Sequence, residues 1–217
     1  MKNQIYTLTD DFYTPDSTIF TQVLEMLESG IKLIQYRSKK ENKDEKIVRN
    51  LVSLCEDFNA FLIINDDLNL AKKVKAHGVH LGMDDASLNV AKEFLGKNKI
   101  YGISCYGDID LAIKAQENGA SYAAFGAVFK SNTKKEAQIC NIDNIDFSKL
   151  RIKTCLIGGI NTSNLDKILY KKADYLAIVS AVYKPNSITK NLANLKLIIN
   201  KNKEKNDKIG RASCRER

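Results

Sequence analysis

The chain has 217 residues and a formal net charge of +8, a length that suits one well-cored domain or a compact αβ barrel. No run of 18 apolar residues is present, which argues against a membrane-spanning helix. The five cysteines (Cys55, Cys105, Cys140, Cys155, Cys214) show no paired spacing, so neither a disulfide framework nor a zinc site is expected.

Short β-branched segments alternate along the chain with longer amphipathic ones. Strands are expected at 5–9, 33–36, 61–64, 79–82, 100–105, 122–126, 154–158 and 175–180. Between the first strands, Ile19, Val23, Leu24 and Leu27 recur at helical spacing, and so do Ile47, Val48, Leu51, Val52 and Cys55. Further helical stretches follow at 111–118, 164–170 and 188–199. Eight strands alternating with helices predict a parallel sheet. Three segments, AHGVHLG (76–82), NGASYAAFG (118–126) and KKADYLAIVS (171–180), share one order of helix end, small turn residue and apolar strand. Repetition of that βα unit favours a single (β/α)8 barrel, an α/β fold, over an open doubly wound sheet. No GxGxxG opens a helix, which speaks against a dinucleotide-binding fold.

The start, MKNQIYTLTD, lacks the basic and apolar regions of a secretory signal, so a cytoplasmic location is expected. The end changes composition. Before Lys208 there are three arginines (Arg37, Arg49, Arg151), whereas IGRASCRER alone holds Arg211, Arg215 and Arg217. That stretch resembles the conceptual translation of a sequencing adapter. The barrel is therefore assigned to residues 1–203 and a disordered tail to 204–217, of which 208–217 are read as non-native. Those last ten residues carry four positive charges and one negative, so the chain without them stands at +5. The remaining lysines are dispersed and form no stripe with interleaved aromatics. No nucleic-acid partner is expected.

In a parallel barrel every strand points its C-terminal end at one face, where the chemistry sits. Those ends supply Gln35, Arg37 and Lys39, then Asn65 and Asp66, then Asp84 and Asp85, then Ser104. Later ends supply the loop 129–135, Gly158 and Gly159, and Val179 and Ser180. Neighbouring strands lie about 4.8 Å apart, so the two acidic ends can converge on one divalent cation, and oxygen ligands beside phosphate suit Mg²⁺. The other reading is helix capping, with Asp67 before Leu68 and Asp85 before Ser87. Arg37, Lys39 and Lys134 add cations able to hold phosphates. Ser131 and Thr133 lie in a helix-breaking loop, and the ends of the last two strands form the usual phosphate site of such barrels. His77 and His80 read as core histidines, and Cys105 as structural.

These motifs in this order resemble the thiamine phosphate synthase family. The likeness runs over roughly residues 5–185 and is carried by QYRSK (35–39), LIINDD (62–67), GVHLGMDD (78–85), YGIS (101–104), FGAVFKSNTKK (125–135), IGGI (157–160) and VSA (179–181). The resemblance implies a (β/α)8 transferase of thiamine biosynthesis that joins hydroxymethylpyrimidine diphosphate to a thiazole phosphate, releasing pyrophosphate. By the same resemblance Gln35, Arg37, Lys39, Asn65, Ser104 and Lys134 hold the pyrimidine diphosphate, with Arg37, Lys39, Ser104 and Lys134 acting in catalysis. Asp66 and Asp85 match the magnesium positions, nineteen residues apart. Ser131, Thr133, Gly158, Val179 and Ser180 match the thiazole-phosphate site. Small-molecule substrates are the expected partners, and assembly into a homo-oligomer is left open. Departures are Met83 for Gln, Asp84 for Glu, Ser131 for Thr, and Tyr106 for a frequent His. Two other functions stay in view. A thiazole tautomerase shares the barrel but lacks the full metal and pyrimidine set, and a non-catalytic binder of thiamine precursors has no need of both carboxylates.

Overall fold

A computed structural model describes residues 2–82, 87–131 and 138–213, with side chains to Lys205. Eight parallel strands close on themselves in sequence order. They are β1 (Gln4–Leu8), β2 (Leu33–Tyr36), β3 (Phe61–Asn65), β4 (Gly78–Leu81), β5 (Ile100–Tyr106), β6 (Tyr122–Phe125), β7 (Lys153–Ile157) and β8 (Tyr175–Ile178). The barrel closes where Gln4, Ile5, Tyr6 and Thr7 of β1 pair with Tyr175, Leu176, Ala177 and Ile178 of β8. The strands expected from β-branched runs are all present, within one or two residues at each end.

The covering layer follows from helical spacing. α1 (Ile19–Glu28) buries Ile19, Val23, Met26 and Leu27, and α2 (Glu45–Asp57) buries Val48, Leu51, Val52, Leu54 and Cys55. Each such apolar side chain contributes about 1.5–3 kcal/mol when taken from water. Asp44 caps α2 by accepting from the amides of Lys46 and Ile47 at 2.8 and 3.2 Å. α3 (Leu68–Lys73), α4 (Leu88–Leu95) and α5 (Ile109–Glu117) follow β3, β4 and β5. After β7 the expected helix is a 3-10 helix at Leu165–Lys171, which still buries Leu165, Ile168 and Leu169.

A four-residue α6 (Ser180–Tyr183) and the long α7 (Ile188–Ser213) complete the order. In α7 the buried positions Ile188, Leu192, Leu195 and Ile199 form one stripe. The helix then continues to Ser213. The physical reason is propagation. A helix already anchored by packing extends at little cost through residues such as Lys and Glu, and Lys201–Lys208 contains neither proline nor glycine.

Strand alternation sorts the core into two layers. Ile34, Leu62, Ile64, Val79 and Leu156 face the helices within the outer cluster. Tyr6, Leu8, Leu33, Ile63, Tyr122, Ala124, Cys155 and Ala177 fill the barrel itself. The interior mixes two tyrosines with small residues at neighbouring positions. Gly102 is one of these, since an added Cβ there would sit inside the Tyr122 ring and hydroxyl.

Candidate active site

The same alternation decides which polar side chains reach the mouth. On β2, Leu33 is interior, so Gln35 two residues on is interior too, and it is 2% exposed. On β3, Ile63 is interior and Asn65 follows at the last strand position. On β5, Ser104 lies two residues beyond Gly102, and its hydroxyl meets the ring of the buried His80 at 2.9 Å. Three residues expected at the site thus share one parity.

Asp66 breaks that parity. It follows β3 with φ of +63°, a left-handed conformation that a non-glycine residue adopts at a cost. Its amide donates to the carbonyl of His80 at 2.9 Å, which ties the bend to β4. The result is a cluster of charge at the mouth. Oδ2 of Asp66 accepts from Asn65 Nδ2 at 2.5 Å and from Lys39 Nζ at 3.5 Å. Asp67 does separate work: its Oδ1 caps α3 by accepting from the amide of Leu70 at 2.9 Å, and Oδ2 pairs with Lys43 at 3.0 Å. Within the first acidic pair, capping therefore falls to Asp67 and Asp66 faces its mouth partners. At the second pair the cap of α4 is Ser87, whose hydroxyl accepts from the amide of Val90 at 3.4 Å. Asp85, together with Met83 and Asp84, lies outside the described residues.

Arg37 and Lys39 extend past β2 on a braced loop. The Arg37 amide donates to Thr9 Oγ1 at 2.9 Å, and its guanidinium lies 3.4 Å from Asp10. The Lys39 amide donates to Asp11 Oδ2 at 2.7 Å, while its side chain is 64% exposed. Two acidic residues after β1 thus fix the base of this loop, a bracing that the sequence reading missed. Lys40 and Lys43 pair with Asp16 and Asp67 instead.

The far side of the mouth is made of backbone. Gly158 and Gly159 follow β7 at φ of +109° and +63°. A Cβ on Gly158 would collide with Ala127, and one on Gly159 with Phe129 and Lys130, so the β6 loop packs directly on this turn. Asn161 and Asn164 both donate to the Gly159 carbonyl, at 3.1 and 3.0 Å, and hold the turn from behind. Val179 follows β8 and Ser180 opens α6. Ser131 is the last described residue of the β6 loop before the gap. Thr133 and Lys134 lie outside the described residues.

Sequence reading also missed what lies beneath the mouth. Gln35 Nε2 donates to Tyr6 Oη at 2.8 Å, and Tyr6 Oη lies 2.9 Å from Tyr122 Oη. Tyr122 Oη lies 2.9 Å from His80 Nδ1, whose Nε2 meets Ser104 as above. Burial pushes both phenols up, so each keeps its proton at neutral pH. His80 is a core histidine as expected, with Tyr122 and Ser104 among its partners. The signal available in the sequence was a polar ring between Val79 and Leu81, at the interior parity of its strand. His77 sits at the other end of β4, accepts from the amide of Leu62 at 3.0 Å, and has its pKa lowered by burial. Cys105 faces the helices, and burial raises its thiol to about 12, as a structural cysteine requires.

A family profile described as thiamine monophosphate synthase matches residues 5–182. The thiamine-phosphate synthase of Marinobacter nauticus is 40% identical over 182 residues, 82% of each chain. The chain belongs to the thiamine phosphate synthase family. That of Thioalkalivibrio sulfidiphilus is 39% identical over 183 residues, 82% of this chain and 87% of the relative. Among solved structures, the thiamine phosphate pyrophosphorylase of Pyrococcus furiosus superposes with a TM-score of 0.80 at 30% identity, covering 92% of this chain and 96% of its own. The thiamine phosphate synthase assignment makes the chain a transferase of thiamine biosynthesis.

Proposed function

We propose that the chain couples hydroxymethylpyrimidine diphosphate to a thiazole phosphate at the strand-end mouth, giving thiamine phosphate and pyrophosphate. The observation that carries this reading is the grouping of Asn65 and Lys39 around one carboxylate oxygen of Asp66, at the end of β3 and next to β2, which carries Gln35. Such a mouth suits a ligand with a neutral heteroaromatic head and a strongly anionic tail.

Departure of the diphosphate from the pyrimidine methylene leaves a cation stabilised by resonance from the 4-amino group. The thiazole nitrogen then attacks that carbon. No side chain has to form a covalent bond. Arg37 and Lys39 neutralise the departing charge, which otherwise grows on the bridging oxygen in the transition state. Gln35 and Ser104 hold the ring so that the methylene faces the nucleophile, and Asn65 holds the diphosphate. Lys134 is assigned to the leaving group beside them. Ser131, Thr133, Gly158, Val179 and Ser180 receive the thiazole phosphate across the mouth.

A divalent cation fits the residues present. Asp66 offers hard carboxylate oxygens at a side chain 34% exposed, open enough for a partly hydrated ion. No group of three or more His, Cys, Asp or Glu gathers among the described residues. Mg²⁺ is commonly held by one or two carboxylates plus phosphate oxygens rather than by an all-protein cage. Asp66 and Asp85 would hold it, and when bound it would neutralise diphosphate charge and ease its departure. We assign the chain to the cytoplasm; no helix among the described residues is long and apolar enough to cross a membrane.

The test is turnover of both substrates by purified protein, with product followed chromatographically. Thiamine phosphate and pyrophosphate should appear in equal amounts, only when both substrates are present. Consumption of the thiazole phosphate without pyrophosphate release would point to a tautomerase and overturn this reading.

A further inference from the structure

The mouth residues Gln35 and Ser104 lie on different strands, yet they are the two ends of one buried line. It runs Gln35, Tyr6, Tyr122, His80, Ser104, with contacts of 2.8, 2.9, 2.9 and 2.9 Å. Gln35, Tyr6, Tyr122 and His80 are all less than a tenth exposed. Buried groups of this kind must match donor to acceptor at each step, because a mismatch leaves a polar atom without a partner.

Counting protons along the line gives it a direction. Gln35 donates through Nε2, so Tyr6 accepts there and spends its own proton on Tyr122. Tyr122 then has its proton left for His80 Nδ1. A neutral imidazole that accepts at Nδ1 carries its proton on Nε2 and donates it to Ser104. The Ser104 hydroxyl, already accepting, is left to donate outward. At the other end, an amide with its nitrogen on Tyr6 turns its carbonyl oxygen the opposite way, as an acceptor. A doubly protonated His80 would donate to Tyr122 as well and leave one phenol proton without an acceptor along the line, so the line also selects the neutral ring.

We propose that Tyr6, Tyr122 and His80 are specificity-determining residues that lock Ser104 as a donor and the Gln35 carbonyl as an acceptor, so that the site takes a 4-aminopyrimidine and refuses its 4-oxo counterpart. This rests on the synthase reading above. An aminopyrimidine edge offers a ring nitrogen that accepts and an amino group that donates, which complements the locked pair. The 4-oxo ring offers a carbonyl that accepts beside an N–H that donates, the reverse order. Gly102 belongs to the same device, since only glycine leaves room for the Tyr122 hydroxyl to cross β5 toward His80.

The test uses the full chain and two ligands without a diphosphate leaving group: the hydroxymethylpyrimidine monophosphates bearing either a 4-amino or a 4-oxo group. Calorimetric titration of the unaltered protein should show at least about 100-fold tighter binding of the amino form, as expected for a site built around directed hydrogen bonds. Tyr122→Phe keeps the ring and removes the central hydroxyl. It should shrink that preference about tenfold or more while thiazole-phosphate affinity stays unchanged. Equal binding of both ligands by the unaltered protein, or a full preference retained in a natively melting Tyr122→Phe, would overturn the proposal. A second readout does not depend on that variant folding. In ¹⁵N-histidine spectra, with His77→Gln used to assign the signals, His80 should be neutral and protonated on Nε2. Protonation on Nδ1, or on both nitrogens at neutral pH, overturns it as well. Failure of the synthase reading would look different: no thiamine phosphate in the turnover assay, with the Nε2–H signal intact.

Discussion

At the scale of single residues, two adjacent aspartates show how one motif carries two roles. Asp67 accepts from the first turn of α3, whereas Asp66 takes a left-handed backbone and meets Asn65 and Lys39. From spacing alone, capping and cation binding were equal readings of Asn65-Asp66-Asp67, because nothing in the letters says which carboxylate faces the helix. Asp67→Ala should lose about 1 kcal/mol of stability in a denaturant titration while turnover stays near normal. A stable protein with strongly reduced turnover would reverse the two roles. For Lys134, loss of one charge-assisted contact in the transition state corresponds to about 2–4 kcal/mol. Lys134→Ala should therefore lower kcat by about 30- to 1000-fold with little change in thiazole-phosphate affinity. An unaltered rate would make it a surface residue.

At the scale of elements, strand parity explains most of what was legible. A period of two in β2, β3 and β5 carries Gln35, Asn65 and Ser104 to the mouth, and the same period places Tyr6, Tyr122 and His80 below them. The mouth residues were legible because strand ends in a barrel announce themselves by polarity after an apolar run. The line beneath them was not, because contacts between β1, β4 and β6 join residues up to 116 positions apart and leave no local spacing to read. Gly102 tests the strand packing. Gly102→Ala should cost about 1–3 kcal/mol through overpacking against Tyr122, and should weaken pyrimidine binding more than thiazole-phosphate binding. Melting and affinity unchanged from the parent would show that Tyr122 is not confined by β5. The bracing of the Arg37 loop by Thr9, Asp10 and Asp11 was equally illegible, since it depends on β1 lying beside β2.

At the scale of the molecule, the (β/α)8 barrel was legible from eight alternating strands and a repeated βα unit, and closure of β1 onto β8 bears it out. The layer outside the sheet was less so: the helix expected after β7 is a 3-10 helix, and α7 outruns its apolar stripe. Because the last buried position described in α7 is Ile199, deleting residues 208–217 should change stability by less than about 0.5 kcal/mol and leave turnover unchanged. A larger loss in thermal unfolding would make those residues part of the barrel's support. The proposed function puts the chemistry at the polar mouth of that barrel, and its central claim is that Asp66 holds the cation on which pyrophosphate departure depends. The most direct measurement is the rate of thiamine phosphate formation against Mg²⁺ concentration for the parent protein and Asp66→Asn, with melting temperatures beside it. The account predicts Mg²⁺-dependent turnover by the parent. For Asp66→Asn it predicts a much higher Mg²⁺ requirement, a rate lower by about two orders of magnitude or roughly 3 kcal/mol, and normal melting. No product from the parent protein, or an Asp66→Asn variant with the parent's rate and metal dependence, would contradict it.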